Sequence, residues 1–192
     1  MSGKRRGGIV IVSGPSGAGK STIVRRLLAE CSLPLVRSVS ATTRAPRPGE
    51  VDGRDYRFLS DERFQELRRQ DALLECKEVF RQGFWYGTLR EEVSSGLSAG
   101  KWVVLEIDVE GMQAVVEQHP DAVTVFLRPS TLEELERRLR GRGTESEEAI
   151  RRRLEVACRE LDFADRYRHQ VINDSADQAV AEICEILRSQ GE

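Results

Sequence analysis

The residues Gly14-Pro15-Ser16-Gly17-Ala18-Gly19-Lys20-Ser21 fit the pattern G-x-x-x-x-G-K-S/T. In that pattern glycines let backbone N–H groups turn inward onto phosphate oxygens, and the lysine adds a positive charge at the β- and γ-phosphates. The Ser21 hydroxyl is the candidate ligand for Mg²⁺, with Thr22 the weaker candidate for the same task. This chemistry is phosphate binding and phosphoryl transfer from a nucleoside triphosphate. Taken alone it permits many acceptors, because unrelated functions share such a loop.

A second set of residues addresses an acceptor. Residues 38–57 place Arg44 and Arg47 on a segment stiffened by Pro46 and Pro48, shortly before Tyr56. Two guanidinium forks and a phenol suit a single phosphate group. A third set lies at 131–153, where Arg137, Arg138, Arg140, Arg142, Arg151, Arg152 and Arg153 surround Gly141 and Gly143. This reads as an arginine-bearing lid whose packed face is Leu132, Leu135 and Leu139. The arginines that do not reach substrate are expected to be solvated or paired with Glu133, Glu136, Glu147 and Glu148.

The elements around these residues must hold them in place. Ile9-Val10-Ile11-Val12 is an unbroken β-branched run, as expected of a strand buried on both faces of a parallel sheet. It enters the glycine-rich loop directly, and Ile23, Val24, Leu27 and Leu28 then recur at helical spacing. Further apolar strands are expected at 102–107 and 122–127, with a short one at Val171-Ile172. Strands alternating with helical segments argue for an α/β fold with a parallel core sheet. Asp108, at the carboxyl end of the strand from Trp102, stands where ligands of open α/β sheets gather; a helix cap is its other reading. Capping spacings at Thr131…Glu134, Thr144…Glu147 and Ser175…Gln178 mark helix starts, the last opening a helix with Val180, Ile183 and Leu187 inward. Between them, short pieces at 36–39, 56–59 and 73–80, broken by Pro46, Pro48, Gly49 and Gly53, read as an inserted, partly antiparallel subdomain.

Composition bounds the rest. The chain has 192 residues, with 30 Lys+Arg against 32 Asp+Glu and a net charge of -2, so no overall basic field recruits nucleic acid or a membrane surface. Cys31, Cys76, Cys158 and Cys184 form no C-x-x-C pair, and no charged-then-apolar leader opens the chain, so reduced thiols in a cytoplasmic protein are expected. His119 and His169 stand in no cluster suited to zinc, and the apolar runs are too short to span a membrane.

The stretch Ser38-Val39-Ser40-Ala41-Thr42-Thr43-Arg44-Ala45-Pro46-Arg47-Pro48-Gly49-Glu50 closely resembles the guanylate kinase family. So do Tyr86-Gly87-Thr88, Leu105-Glu106-Ile107-Asp108…Gly111, the run 138–143, and Val171-Ile172-Asn173-Asp174. The resemblance covers roughly residues 8–188. It implies a three-layer P-loop NTPase core with a parallel sheet, an inserted mixed or antiparallel acceptor subdomain and a helical lid. The whole is one domain over 7–188: core 7–37, 94–130 and 159–188, GMP-binding subdomain 38–93, lid 131–158. It further implies transfer of the γ-phosphoryl group of ATP to GMP, and to dGMP, with Mg²⁺, by a monomer or weak homo-oligomer. Arg44, Arg47, Tyr56 and Tyr86 then hold the GMP phosphate, and Ser40, Glu75 and Thr88 face guanine, with Glu106 and Asp108 alongside. Arg138, Arg142 and Arg153 reach the ATP phosphates, and Asn173 lies near adenine, although a turn or cap explains it equally. Chemistry supports Glu75: guanine presents donors at N1 and N2 that a carboxylate accepts, whereas adenine presents an acceptor at N1 and no N2 donor.

Two departures from the family pattern stand out. The segment from Val79 to Tyr86 is longer than the usual loop, and Glu106 stands where the family often has Asp. Two rivals remain open at this stage. One is a binding module on a catalytically silent guanylate-kinase-like scaffold; the other is an NTP-driven kinase with a different small acceptor.

Overall fold

The computed structural model describes residues 7–79, 83–141 and 147–190. Its main sheet has five strands in the order β2-β7-β1-β8-β9: β1 Ile9–Ser13, β2 Leu35–Arg37, β7 Trp102–Glu106, β8 Val123–Arg128 and β9 His169–Ile172. Every pairing in it is parallel. Alternate β1 side chains enter different cores, which is why the run has no polar member. Val10 and Val12 pack with Ile23, Val24 and Leu27 of α1 (Lys20–Glu30) and with Ala179, Val180, Ile183 and Leu187 of α7 (Ala176–Ser189). Ile9 and Ile11 pack on the opposite face, with Val93 of α3 (Arg90–Ser98), Met112 and Val115 of α4 (Val109–Gln118), and Tyr167. The result is helix, sheet, helix, the three-layer α/β architecture expected.

The parallel arrangement delivers the carboxyl ends of β1, β7 and β8 to one edge, and the phosphate loop leaves β1 there. The insert forms a second, mixed sheet, order β4-β3-β6-β5, from β3 Ala41–Thr42, β4 Arg57–Phe58, β5 Leu73–Val79 and β6 Phe84–Leu89. Only β3 and β4 run parallel in it. It closes over its own small core of Ala41, Phe64 and Leu73, with Leu59, Leu67 and Trp85 packed against them. Phe64 comes from α2 (Asp61–Arg69), a helix capped by the Ser60 hydroxyl accepting from the Arg63 N–H at 3.2 Å. Its Asp61 and Glu62 at the start and Arg68 and Arg69 at the end match the helix dipole.

Three expectations need correction or fall elsewhere. The piece at 36–39 is not part of the insert: β2 pairs with β7, Leu35 beside Trp102, and is the edge of the main sheet. A half-buried edge strand shows the same short alternation as an antiparallel one. Leu132 is not on the packed lid face but is 44% exposed. In α5 (Leu132–Arg140) only Leu135 and Leu139 are buried against Ile150 and Ala157 of α6 (Glu147–Leu161), and the first turn overhangs that contact. The expected cap at Thr144 lies outside the described residues. The Thr131 and Ser175 caps form, each accepting the backbone N–H three residues on.

Candidate functional site

Gly19, at φ 90°, is the N-cap of α1 and supplies no side-chain cap, and no acidic residue stands in the first turn. The first amides of α1 therefore face the loop without an internal partner, which is the condition for holding an anion. Two contacts fix the loop's shape and demand glycine. A Cβ on Gly17 would sit 3.0 Å from both Leu135 and Leu139 of α5, and one on Gly19 would sit 2.6 Å from Asn173 Nδ2. That Nδ2 donates to the Ala18 carbonyl at 2.7 Å. Asn173 is thus a buried brace of the loop, joined to the end of β8 by its own N–H donating to Arg128 O at 2.8 Å. Lys20 Nζ donates to the carbonyls of Gly14 at 2.5 Å and Pro15 at 3.1 Å, folding its charge back over the loop.

The Ser21 hydroxyl donates to Glu106 Oε1 at 2.6 Å. Glu106 Oε2 is buried without a hydrogen-bond partner and forms an ion pair with Arg37 at 3.5 Å. A serine hydroxyl beside an under-satisfied carboxylate, at the mouth of a phosphate loop, is a donor set that suits Mg²⁺, a hard cation that binds oxygen and keeps much of its water. Thr22 is exposed and contributes no side-chain contact among those described. Glu106, expected among the acceptor residues, therefore bridges the two halves of the site, because it also lines the acceptor pocket.

That pocket is walled by Ser40, Tyr56, Glu75, Lys77, Tyr86, Gly87, Glu106, Ile107 and Asp108. Antiparallel register sets Glu75 opposite Thr88 and Lys77 opposite Tyr86. The Thr88 hydroxyl donates to Glu75 Oε1 at 2.7 Å. Burial pushes the Glu75 carboxyl above the ordinary carboxylate range, an effect that the Thr88 donor opposes. A Cβ on Gly111 would lie 3.2 Å from Glu75 Oε2, so the start of α4 closes tightly on the carboxylate. Asp108 caps α4, Oδ1 accepting from the Gly111 N–H at 2.9 Å, and its other oxygen forms an ion pair with Lys77 Nζ. Asp108 thus caps the helix and lines the pocket at once.

Arg44 stands beside Tyr86 and Tyr56, two of the residues that wall the pocket. Its Nε donates to Tyr86 Oη at 3.0 Å, and the guanidinium lies 5.5 Å from the centre of the Tyr56 ring. Glu50 grips the same guanidinium with both oxygens, at 2.9 and 3.0 Å, and accepts the Arg47 N–H at 2.7 Å. The structure does not bring the Arg47 side chain into this group: it is exposed, and only its backbone takes part. Of the lid arginines, Arg153 Nη2 donates to Ser16 Oγ at 2.5 Å, and Arg138 donates to Glu134 at 2.6 Å and to the Asn173 carbonyl at 2.6 Å. Both therefore reach the phosphate loop or its brace. Arg142 lies outside the described residues. Arg137, Arg140 and Arg152 pair with acidic neighbours on α5 and α6.

Sequence reasoning missed Glu50, Lys77 and Glu160. The motif contains Glu50, yet nothing in its spacing shows that it would chelate Arg44. Lys77 follows Glu75 by two residues on a strand, which puts both on one face, and that signal was available. Glu160 on α6 keeps a buried, unpartnered Oε2, and burial raises its carboxyl while Lys20 opposes the shift. No local pattern distinguishes it from the other glutamates of α6.

Comparison with known proteins agrees with this geometry. The family model described as guanylate kinase matches residues 6–190. The chain is 56% identical over 185 residues to a guanylate kinase of Rhodopirellula baltica, covering 96% of this chain and 88% of that protein. It is 49% identical over 184 residues to one of Rubrobacter xylanophilus, covering 96% and 95%. Among solved structures, a guanylate kinase from Anaplasma phagocytophilum superposes with TM-score 0.79 at 31% identity, covering 97% of this chain and 87% of that one. A gluconokinase from Sinorhizobium meliloti, at 16% identity and TM-score 0.53, shares the fold alone. With a match that spans the phosphate loop, the acceptor pocket and the lid together, this chain belongs to the guanylate kinase family.

Proposed function

We propose that the phosphate loop holds ATP, that the pocket walled by Glu75 and Tyr86 holds GMP, and that the γ-phosphoryl group passes directly between them. The activity is that of the family: ATP and GMP give ADP and GDP. In this division of roles Gly14 to Ser21 carry the ATP phosphates, braced by Asn173, and Lys20 swings from its carbonyl partners onto the β- and γ-phosphates. Ser21 and Glu106 would hold Mg²⁺, which would supply positive charge to neutralise the phosphates during transfer. Arg44 and the Tyr86 phenol grip the GMP phosphate; Arg47 joins them once substrate draws its side chain in. Ser40 and Thr88 flank guanine, Asp108 lies alongside, and dGMP is accepted as GMP is. Arg138, Arg153 and Arg142 close on the phosphates and exclude water, which would otherwise hydrolyse ATP.

One observation carries the choice of acceptor: a carboxylate, Glu75, is half-buried at the pocket and held by Thr88, leaving acceptor capacity for two N–H groups. Guanine supplies such a pair and adenine does not. The phosphate loop is complete, so nothing favours a silent binding module. We further propose a cytoplasmic monomer or weak homo-oligomer without nucleic-acid or membrane partners. Four free thiols support the compartment, and a net charge of -2 supports the lack of a nucleic-acid or membrane partner. The test is ADP release with GMP, dGMP, IMP, AMP, CMP and UMP as acceptors. Efficient turnover with GMP and dGMP alone is expected; equal turnover with AMP would defeat the assignment of Glu75.

A further inference from the structure

The acceptor pocket has an electrostatic problem that its own residues must solve. Three carboxylates, Glu75, Glu106 and Asp108, converge on it, and Lys77 is the only basic residue among the described residues that line it. The Arg44 guanidinium is tied to Glu50, and Arg37 sits behind Glu106 at 3.5 Å. A nucleoside monophosphate adds further negative charge as it enters.

Lys77 is built into this cluster. It stands two residues from Glu75 on β5, so both side chains leave the same face, opposite Tyr86 and Thr88 of β6. Its Nζ forms an ion pair with Asp108 and a second with Glu110 Oε2 at 3.1 Å, both at the start of α4. Asp108 in turn holds the Gly111 N–H, and Gly111 abuts Glu75. A closed circuit of contacts thus runs from Lys77 through Asp108 and the α4 N-terminus back to the carboxylate that faces guanine.

We propose that Lys77 is a positioning residue for guanine recognition: it fixes Asp108 and the first turn of α4 against Glu75, and its charge keeps Glu75 ionised among the neighbouring carboxylates. This rests on the reading of Glu75 as the guanine acceptor. Glu75 accepts two N–H groups only as a carboxylate; protonated, it presents a donor to donors. The groups facing it are Thr88 and Tyr86 on β6, Lys77 on β5, Asp108 at the N-cap of α4, and Glu106 at the end of β7. Burial and Asp108 raise its carboxyl, and Thr88 and Lys77 oppose that. Lys77 itself loses from burial but is held above the ordinary lysine range by Asp108 and Glu110, so it stays charged wherever the enzyme works.

The experiment is the pH dependence of kcat/KM for GMP at saturating ATP and Mg²⁺, between pH 5 and 8, for the wild type, Lys77→Met and Lys77→Arg. The acid limb of that profile reports groups of the free enzyme. In K77M the limb is expected to move to higher pH by about one unit, and at pH 6.5 the KM for GMP is expected to rise several-fold more than kcat falls. K77R should restore the limb. An unmoved limb in K77M, or a loss that appears equally in kcat at every pH and is not rescued by arginine, overturns the proposal. Absence of wild-type turnover with GMP would instead defeat the underlying functional reading, so the two failures are separable.

Discussion

Replacing Glu75 by glutamine changes one oxygen to an amide and leaves the shape of the side chain almost intact. The Thr88 hydroxyl bonds Glu75 Oε1 at 2.7 Å, and the start of α4 closes on Oε2, so the side chain cannot turn away from the pocket. Whichever way the new amide is placed, one of guanine's two donors meets an N–H₂ group instead of an oxygen. A hydrogen bond to a charged acceptor contributes about 1.5–3 kcal/mol, and leaving a buried donor unmatched costs about 1–3 kcal/mol. The combined loss, discounted for relaxation, is about 3–4 kcal/mol, or on the order of 10²–10³-fold in kcat/KM for GMP. IMP, which lacks the N2 amine, supplies an internal control. Wild type should prefer GMP to IMP, and E75Q should narrow that preference by about tenfold or more, because the group that distinguishes them has lost its acceptor. Stability does not confuse the result. The folded pKa of Glu75 is raised, so its ionised form is disfavoured by folding, and the contribution it makes below the unfolded carboxylate pKa is lost as pH rises through the folded value. A neutral glutamine escapes that loss, and the melting temperature at pH 7.5 should be unchanged or higher. Coupled ADP-release kinetics with both acceptors measure the ratio directly. An unaltered GMP to IMP ratio in E75Q would remove Glu75 from recognition of the guanine N2 amine.

Lys20→Met should lower kcat/KM on the order of 10³-fold, the charge meant for the β- and γ-phosphates being lost; turnover near the wild-type rate would show that the loop is misread. Gly19→Ala forces a Cβ to within 2.6 Å of Asn173 Nδ2 at φ 90°, and a loss of about 2–4 kcal/mol in urea unfolding is expected. An unchanged midpoint would mean that Asn173 does not brace the loop. Glu106→Gln should raise the Mg²⁺ concentration giving half-maximal rate by about tenfold at fixed ATP, the Ser21 hydroxyl having lost its charged partner. A Mg²⁺ titration that superposes on wild type would remove Glu106 from the metal's surroundings.

Where one local pattern determined the outcome, the sequence was readable. The β-branched run 9–12, the loop and the spacing of Ile23, Val24 and Leu27 are consecutive, and strand, loop and helix followed from them. The insert was harder because its elements are short and polar. α2 buries only Phe64, so no apolar stripe announces it; the usable signals were Ser60 and the acidic-then-basic charge order. Leu132 misled because heptad spacing reports which face a residue shares and not how far along the helix the neighbour extends. β2 misled because strand pairing is not encoded in a three-residue alternation. In the site, the residues that the family resemblance singled out meet in pairs, Glu75 with Thr88 and Arg44 with Tyr86. The position of Glu106 on Ser21, the chelation of Arg44 by Glu50 and the Lys77–Asp108 pair all join segments far apart in sequence or depend on side-chain reach. Such contacts become visible only once the sheet edge has collected them.

The most direct test of the account follows the phosphoryl group itself. The protein is incubated with Mg²⁺, unlabelled GMP and ATP labelled at the γ-phosphorus, and the products are separated. The label is expected in the β-phosphate of GDP, in step with ADP formation and with little inorganic phosphate. Label released chiefly as inorganic phosphate, or ADP formed at the same rate with and without GMP, would contradict it.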